Sequence, residues 1–353
     1  MGGHCVMGHV DQVGQVVERT EISEEGEYFL KLLIGGVQGE FQKYLIRKGS
    51  IAVDGVSLDV GSGECLGVVG ESGSGKSVTF AAVMGLIRPP GRIEAGSIRF
   101  DGRELVGLDP RAWRALRGRD IAMTLQDATT ALNPALTIFT QIAEVLRAHA
   151  DNLPSGRAAR ARTLRARAID MLGLVGIPAA AERLSDYPHQ FSGGMRQRIM
   201  LAIALACRPR LLIADEPTTA LDVTIQAQVL DLIGTIRAEL GMSVVLITHD
   251  LGVVAEHCDR VAVLYAGQIV ETGRTEDVIA TPRHPYTEAL LASVPVLSDL
   301  DRPMRPIPGQ IPALAGLGEG CRFLPRCPHA GPDCRATIAM RDLAPGRAVR
   351  CVR

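Results

Sequence analysis

The sequence predicts an α/β protein built on a parallel β-sheet. Three observations lead there. Cys65-Leu-Gly-Val-Val is a short, buried-type strand that runs straight into a glycine-rich segment, Gly70 to Ser77, and then into a helix-like stretch. Arg210-Leu-Leu-Ile-Ala-Asp and Ser243-Val-Val-Leu-Ile-Thr alternate as strands, with helical periodicity from Ile225 to Glu239 between them. Strand, helix, strand at that spacing is a βαβ unit, and its crossover makes the two strands parallel.

The elements follow in chain order. Residues 1–39 read as a partly ordered extension or a misplaced start: Glu21 to Glu27 is acidic, and Leu30 to Val37 is a short apolar run flanked by glycines. From about Glu40 to Val69 the pattern is strand-like, with a turn signal at Asp54-Gly55. Ser77 to Ile87 predicts a helix closed by Pro89-Pro90-Gly91. From Ala128 to about Arg208, Ala, Arg and Leu recur with helical periodicity and no strand pattern, which predicts an inserted helical subdomain. Val261-Ala-Val-Leu-Tyr and Gln268-Ile-Val-Glu predict a closing hairpin. Beyond Thr281, closely spaced prolines mark an extended, irregular tail. The expected layout is an extension at 1–39, a core at 40–281 with its helical subdomain at about 128–208, and a C-terminal extension at 282–353.

Bulk properties narrow the class. The 353 residues are 46% hydrophobic and 22% charged, a globular composition with a large core. With 38 basic and 39 acidic side chains the net charge is −1, which argues against coating nucleic acid by bulk charge. No apolar run approaches the roughly 20 residues that span a bilayer. The N-terminus lacks the basic-then-apolar pattern of a secretory signal. The expectation is a cytosolic chain that reaches a membrane only through a partner. Of eight cysteines, Cys5, Cys65, Cys207 and Cys258 are scattered, while Cys321, Cys327, Cys334 and Cys351 crowd the last 33 residues. In a reducing cytosol such a cluster reads as metal ligands before disulfides.

Gly70-Glu71-Ser72-Gly73-Ser74-Gly75-Lys76-Ser77 fits G-x-x-x-x-G-K-[ST] in full, between a strand and a helix. Glycines let successive amides point into one concavity that wraps phosphate oxygens, and the helix start adds its dipole. Lys76 is expected to reach the β- and γ-phosphates and Ser77 to ligate Mg²⁺. Leu211-Leu-Ile-Ala-Asp215-Glu216-Pro217 supplies a second site: Asp215 at the strand end as a Mg²⁺ partner, and Glu216 placed to orient and polarise the attacking water. Phe191-Ser192-Gly193-Gly194-Met195 precedes a helix-like run, with Ser192 placed as its N-cap and exposed amides behind it.

These motifs, in this order, resemble the ATP-binding subunits of ABC transporters. The signature L-S-G-G-Q of that family appears as Phe191 to Met195. Gln126, in Thr124-Leu-Gln-Asp-Ala, is similar to the Q-loop glutamine, although the usual Phe-Gln-Asp-Pro reads Leu-Gln-Asp-Ala here. Thr219-Ala-Leu-Asp222 is similar to the D-loop and His249 to the switch histidine. The resemblance covers about Glu40 to Thr281. It implies a P-loop NTPase fold, a RecA-like parallel core with an antiparallel β subdomain and an inserted helical subdomain. It also implies a head-to-tail pair of subunits, with ATP between Lys76 of one and Ser192, Gly193 and Gly194 of the other. Gln126 would sense the γ-phosphate and Mg²⁺ and face a transmembrane partner. His249 would hold the γ-phosphate and attacking water. An aromatic residue upstream of the loop usually stacks on adenine; Tyr44 is the nearest, with Ile51 competing for the aligned place.

The tail narrows the resemblance. Pro282-Arg-His-Pro-Tyr-Thr287, Ile307-Pro-Gly and Cys321-Arg-Phe-Leu-Pro-Arg-Cys327 resemble the C-terminal extension of oligopeptide and dipeptide permease ATP-binding subunits. That implies a paralogous ATP-binding subunit as partner, two transmembrane permease subunits, an extracytoplasmic substrate-binding protein, and a peripheral place on the cytoplasmic face of the membrane. Import of other small solutes such as nickel, or a soluble ABC ATPase acting on nucleic acid or ribosomes, are the competing readings; no coiled coil or tandem ATPase supports the latter. The four late cysteines are spaced C-x5-C-x6-C-x16-C. Four thiolates can bind a [4Fe–4S] cluster or Zn²⁺, and spacing alone does not choose among cluster, zinc and free thiols. The resemblance implies a cluster in at least some of these subunits.

Overall fold

The computed structural model describes residues 30–34 as backbone, and residues 56–87, 91–93, 95–150, 152–219, 221–293, 306–312 and 319–353. Tyr44 and the expected turn at Asp54-Gly55 lie outside the described residues. The chain divides into two units. One runs from Leu108 to Val245, and the other holds the residues before and after it.

The discontinuous unit opens with β1 (Leu30–Ile34), β2 (Val56–Val60), β3 (Cys65–Val69), α1 (Lys76–Val83), β4 (Gly96–Phe100) and β5 (Arg103–Glu104). β1 is an interior strand of a four-stranded antiparallel sheet, order β2-β1-β4-β5, with Leu32 opposite both Leu58 and Ile98. The apolar run expected to be a partly ordered extension thus supplies a paired strand. Val56, Leu58 and Val60 are buried and alternate with less buried neighbours, the period of a strand with one apolar face. β3 is buried at all five positions, as a strand covered on both faces must be. α1 is shorter than the predicted Ser77 to Ile87: Gly85 N donates to Ala82 O (2.9 Å) and Leu86 N to Ala81 O (2.8 Å), which closes the helix at Val83.

The continuous unit carries α2 (Pro110–Leu116), β6 (Ile121–Thr124), α3 (Ala128–Ala131), α4 (Ile138–His149), α5 (Arg157–Leu174), α6 (Ala180–Arg183), α7 (Gly193–Leu205), β7 (Leu211–Asp215) and α8 (Val223–Leu240). Between β6 and β7 the described residues form helices and turns only, as the Ala, Arg and Leu texture predicts. α4 buries Ile138, Ile142 and Leu146, and α5 buries Leu164, Ala168 and Leu172, each set four residues apart. That spacing puts them on one face of each helix. Full burial of each Leu or Ile there stabilises by about 1.5–3 kcal/mol. β6 and β7 pair in parallel, Ile121 with Leu211 through Thr124 with Ala214. β8 (Ser243–Thr248) carries the chain out of this unit.

Back in the discontinuous unit come α9 (Leu251–His257), β9 (Arg260–Tyr265), β10 (Gln268–Arg274), α10 (Thr275–Ala280), α11 (Pro285–Ser293), β11 (Arg341–Ala344) and β12 (Arg347–Val349). The strand order here is β11-β12-β10-β9-β3, with β9 parallel to β3 and β10 antiparallel to β9 as the predicted hairpin. Arg260 pairs with Asp59 (3.0 Å) and Glu64 (3.2 Å), tying the start of β9 to β2 and to the turn before β3. The tail is mostly irregular, as expected, but it also contributes α11 and the β11–β12 hairpin that extends the sheet along β10.

Candidate functional site

β3 delivers the chain into the loop Gly70–Gly75, and the loop is seated on the turn between β9 and β10. A Cβ on Gly70 would lie 2.2 Å from Leu264 O, so the backbone passes closer to β9 than any side chain permits. Ser74 N donates to Glu71 O (3.1 Å), and Gly267 N donates to Ser74 O (2.7 Å). Gly75 precedes the first turn of α1, whose leading amides open into the loop. Lys76 is buried; its Nζ donates to Gly70 O (2.5 Å) and Glu71 O (3.1 Å) across the loop. Ser72, Gly73 and Ser77 are exposed at the rim. Ser74 Oγ is buried without a hydrogen-bond partner among the described residues. The loop's leading amides and the Lys76 ammonium together fit an anionic oxygen.

Glu71 is held from the tail. Its amide donates to the Tyr286 hydroxyl (2.8 Å), and its carboxylate accepts from both terminal nitrogens of Arg326 (2.7 and 2.9 Å). Arg326 Nη1 also donates to Tyr265 Oη (3.3 Å) and Nε to Pro308 O (2.7 Å). Tyr265, Tyr286 and Phe323 pack ring against ring at 4.5–5.3 Å beneath it. Hydrogen bonding to Glu71 pushes the Arg326 guanidinium above its already high range, and burial pushes the Tyr286 and Tyr265 phenols up. None of these partners was readable as a site residue in the sequence, because Arg326 and Glu71 are 255 residues apart. In the same unit, His249 is exposed on the turn after β8. That turn is fixed by Asp250 N donating to Thr248 Oγ1 (3.1 Å) and Asp250 Oδ1 accepting from Gly252 N (2.7 Å) at the start of α9.

The continuous unit builds a second group. The parallel register of β6 and β7 offsets partners by 90 residues, so Gln126 and Glu216 emerge side by side beyond the strand ends. Gln126 Nε2 donates to Glu216 Oε2 (2.9 Å), and Thr219 Oγ1 donates to the same oxygen (2.9 Å). Glu216 takes φ 46°, an uncommon left-handed conformation for a residue with a side chain. Asp215, at the last position of β7, is buried. Thr219 is the partner that motif reading missed; it was legible only as part of Thr219-Ala-Leu-Asp222.

Ser192 and Asp222 are both N-caps. Ser192 Oγ accepts from Met195 N (3.4 Å) at the start of α7, and Asp222 Oδ1 accepts from Ile225 N (2.9 Å) at the start of α8. The two helix starts lie together: a Cβ on Gly193 would sit 3.8 Å from Leu221, and one on Gly194 only 2.6 Å from Ile225 Cγ2.

Cys321, Cys327, Cys334 and Cys351 line one small pocket, with His284, Leu324 and His329. The cysteines are free thiols, and Cys321 N donates to Cys334 O (2.8 Å). Burial pushes the Cys321 and Cys327 thiols up, and the neighbouring cysteines push the same way. His284 Nδ1 accepts from Tyr286 N (3.0 Å), whereas its Nε2 is buried with no partner among the described residues. Among the described residues no group of three or more His, Cys, Asp or Glu converges as the ligands of a metal ion. The expected ligand set is therefore brought to one cavity but not drawn around one point.

The relatives of this chain share both its core and its tail. An ABC transporter model matches residues 53–219, and an "Oligopeptide/dipeptide transporter, C-terminal region" model matches 270–334. The dipeptide transport ATP-binding protein DppD of Haemophilus influenzae is 48% identical over 300 residues, covering 85% of this chain and 89% of the relative. The chain belongs to the peptide-permease branch of the ABC transporter ATP-binding family. The oligopeptide transport ATP-binding protein AppD of Bacillus subtilis is 46% identical over 302 residues, 85% of this chain and 90% of the relative. Among solved structures, cbiO1 of Clostridium perfringens, part of the ABC transporter complex cbiONQ, matches with a TM-score of 0.57 at 25% identity, covering 72% of this chain and 92% of that one. The dimeric ATP-binding cassette MJ0796 bound to ADP and Pi matches with a TM-score of 0.57 at 26% identity over 70% of this chain and 98% of that one. A Lumazine binding domain model also matches residues 7–83. Over the shared stretch, 53–83, the described strand, glycine loop and helix are those of an ABC ATPase. No helix among the described residues of this ABC ATPase is long and apolar enough to cross a membrane.

Proposed function

We propose that this chain is the ATP-hydrolysing subunit of a transporter that imports di- and oligopeptides. It would work on the cytoplasmic face of the membrane with two transmembrane permease subunits, a paralogous ATP-binding subunit and an extracytoplasmic substrate-binding protein. The observation that carries the hydrolytic part is the grip on Glu216, one of whose carboxylate oxygens accepts from both Gln126 and Thr219 at 2.9 Å. A carboxylate so oriented beside a strand-end Asp is equipped to take a proton from water. The names of its relatives and the match of its tail support the peptide part.

On this reading the amides of Gly70 to Ser77 and the Lys76 ammonium bind the β- and γ-phosphates. Ser77, Gln126 and Asp215 would hold Mg²⁺, which would supply charge to neutralise the transferred phosphoryl group. Glu216 accepts the proton of the attacking water as its oxygen bonds to the γ-phosphorus and the bond to the β–γ bridging oxygen breaks. His249 holds the γ-phosphate and that water in line. Ser192, Gly193, Gly194 and Asp222 serve the nucleotide bound to the partner subunit. The test is ATP turnover and uptake by the assembled transporter in vesicles. Stimulation by dipeptides supports the reading. Stimulation by nickel or another solute but not by peptides overturns the substrate, and recovery with nucleic acid instead of membrane proteins overturns transport.

We infer further that the cysteine cavity holds a [4Fe–4S] cluster. What supports this is that four thiols line one pocket, in a tail that matches the oligopeptide/dipeptide transporter C-terminal region. Four thiolates are the ligand set of such a cluster, and zinc takes the same set. Bound there, it would staple a tail with little core of its own.

A further inference from the structure

We propose that Arg326 is a positioning residue for nucleotide binding: from the tail, it holds the Glu71 carboxylate away from Lys76 and from the phosphates. This rests on reading Gly70 to Ser77 as the phosphate cradle. Glu71 is the second residue of that loop and places a negative charge where a polyanion is to bind. Lys76 Nζ already donates to the Glu71 carbonyl (3.1 Å), so a released Glu71 carboxylate has the loop's ammonium as its nearest alternative cation within the loop. An internal Lys76–Glu71 pair would occupy the group that must meet the phosphates.

The geometry prevents that. Arg326 engages both Glu71 oxygens in a fork, at 2.7 and 2.9 Å, and its own side chain is 4% exposed. A bidentate pair of this kind, with its guanidinium buried, fixes direction as well as charge. The Arg326 head is itself immobilised by the Pro308, Ile307 and Gly309 carbonyls and by Tyr265. Tyr286 adds a second tie, accepting the Glu71 amide at 2.8 Å. Both chemical handles of Glu71 therefore point to the tail. Arg326 is also the residue before Cys327, in the segment that supplies two thiols of the cysteine cavity. The second residue of the glycine loop and the cysteine-bearing tail thus meet in one ion pair.

The experiment is titration of the full chain with a fluorescent ATP analogue and Mg²⁺, at low and moderate salt. Arg326→Met is expected to weaken binding about tenfold, the order for one charge left opposing a polyanion under partial screening. Adding Glu71→Gln to that variant is expected to recover most of the loss, and Arg326→Lys, which keeps the charge but not the fork, to fall between. In the assembled transporter, KM for ATP is expected to rise more than kcat falls. If Arg326→Met does not fold, Arg326→Lys with and without Glu71→Gln reads the same coupling. An Arg326 variant that binds as the parent does, or a double variant as weak as the single one, overturns the proposal. A parent chain that binds no nucleotide overturns the reading of the loop instead.

Discussion

Thr219→Val removes one donor to Glu216 while keeping the side-chain shape. The bond is 2.9 Å long and its acceptor is a half-buried carboxylate. A hydrogen bond to a charged group contributes about 1.5–3 kcal/mol when well buried; partial exposure reduces that to about 1–2 kcal/mol here. Gln126 still donates to the same oxygen, so Glu216 is loosened, not released. If orientation of this carboxylate limits hydrolysis, kcat falls about 5- to 30-fold. The assay is steady-state ATP turnover by the assembled transporter, with nucleotide affinity measured in parallel. Affinity should change little, because Thr219 acts on the carboxylate that takes the proton and not on the groups proposed to bind the phosphates. Thr219→Ser, which keeps the hydroxyl, should recover most of the rate. A Thr219→Val transporter with the parent's kcat, or a Thr219→Ser one as slow as the valine variant, would refute the link between this bond and catalysis.

Two further outcomes follow from the packing and the tail. Gly194→Ala places a methyl 2.6 Å from Ile225 Cγ2, and such overpacking between α7 and α8 should lower stability by about 1–3 kcal/mol, read by thermal or denaturant unfolding. Ile225→Ala in the same chain should return part of that loss; additive losses would mean the two sites are not in contact. Anaerobically purified protein should contain iron and acid-labile sulfide with visible absorbance, and Cys327→Ser should lose both. Stoichiometric zinc without colour would replace the cluster by a single ion.

Much of the fold was legible because its central strands are short apolar runs cut off by Gly, Asp or Thr: Cys65–Val69, Leu211–Asp215 and Ser243–Thr248 carry no competing helical period. The helical stretch from 128 to 205 was legible from its Ala and Leu spacing. β11 was not, because all four of its residues are exposed and no alternation marks it. β1 was visible as an apolar run, but its pairing with both β2 and β4 depends on partners 22 to 70 residues away. The site divides in the same way. Lys76, Asp215 and Glu216 follow from motif chemistry, and the Gln126–Glu216 contact from a register that no motif states. The Arg326–Glu71 pair had no local signal at all, since it is made by tertiary packing of the tail against the loop.

The most direct test of the account is Glu216→Gln. The amide keeps the size of the side chain and its place beyond β7 but cannot accept a proton from water. Proton transfer by a positioned base contributes about 10²- to 10⁴-fold, so this variant should bind ATP and Mg²⁺ as the parent does, with turnover reduced by that order and ATP retained on the protein. A Glu216→Gln chain that hydrolyses ATP at the parent's rate would contradict the assignment of Glu216 and, with it, the reading of how this site works.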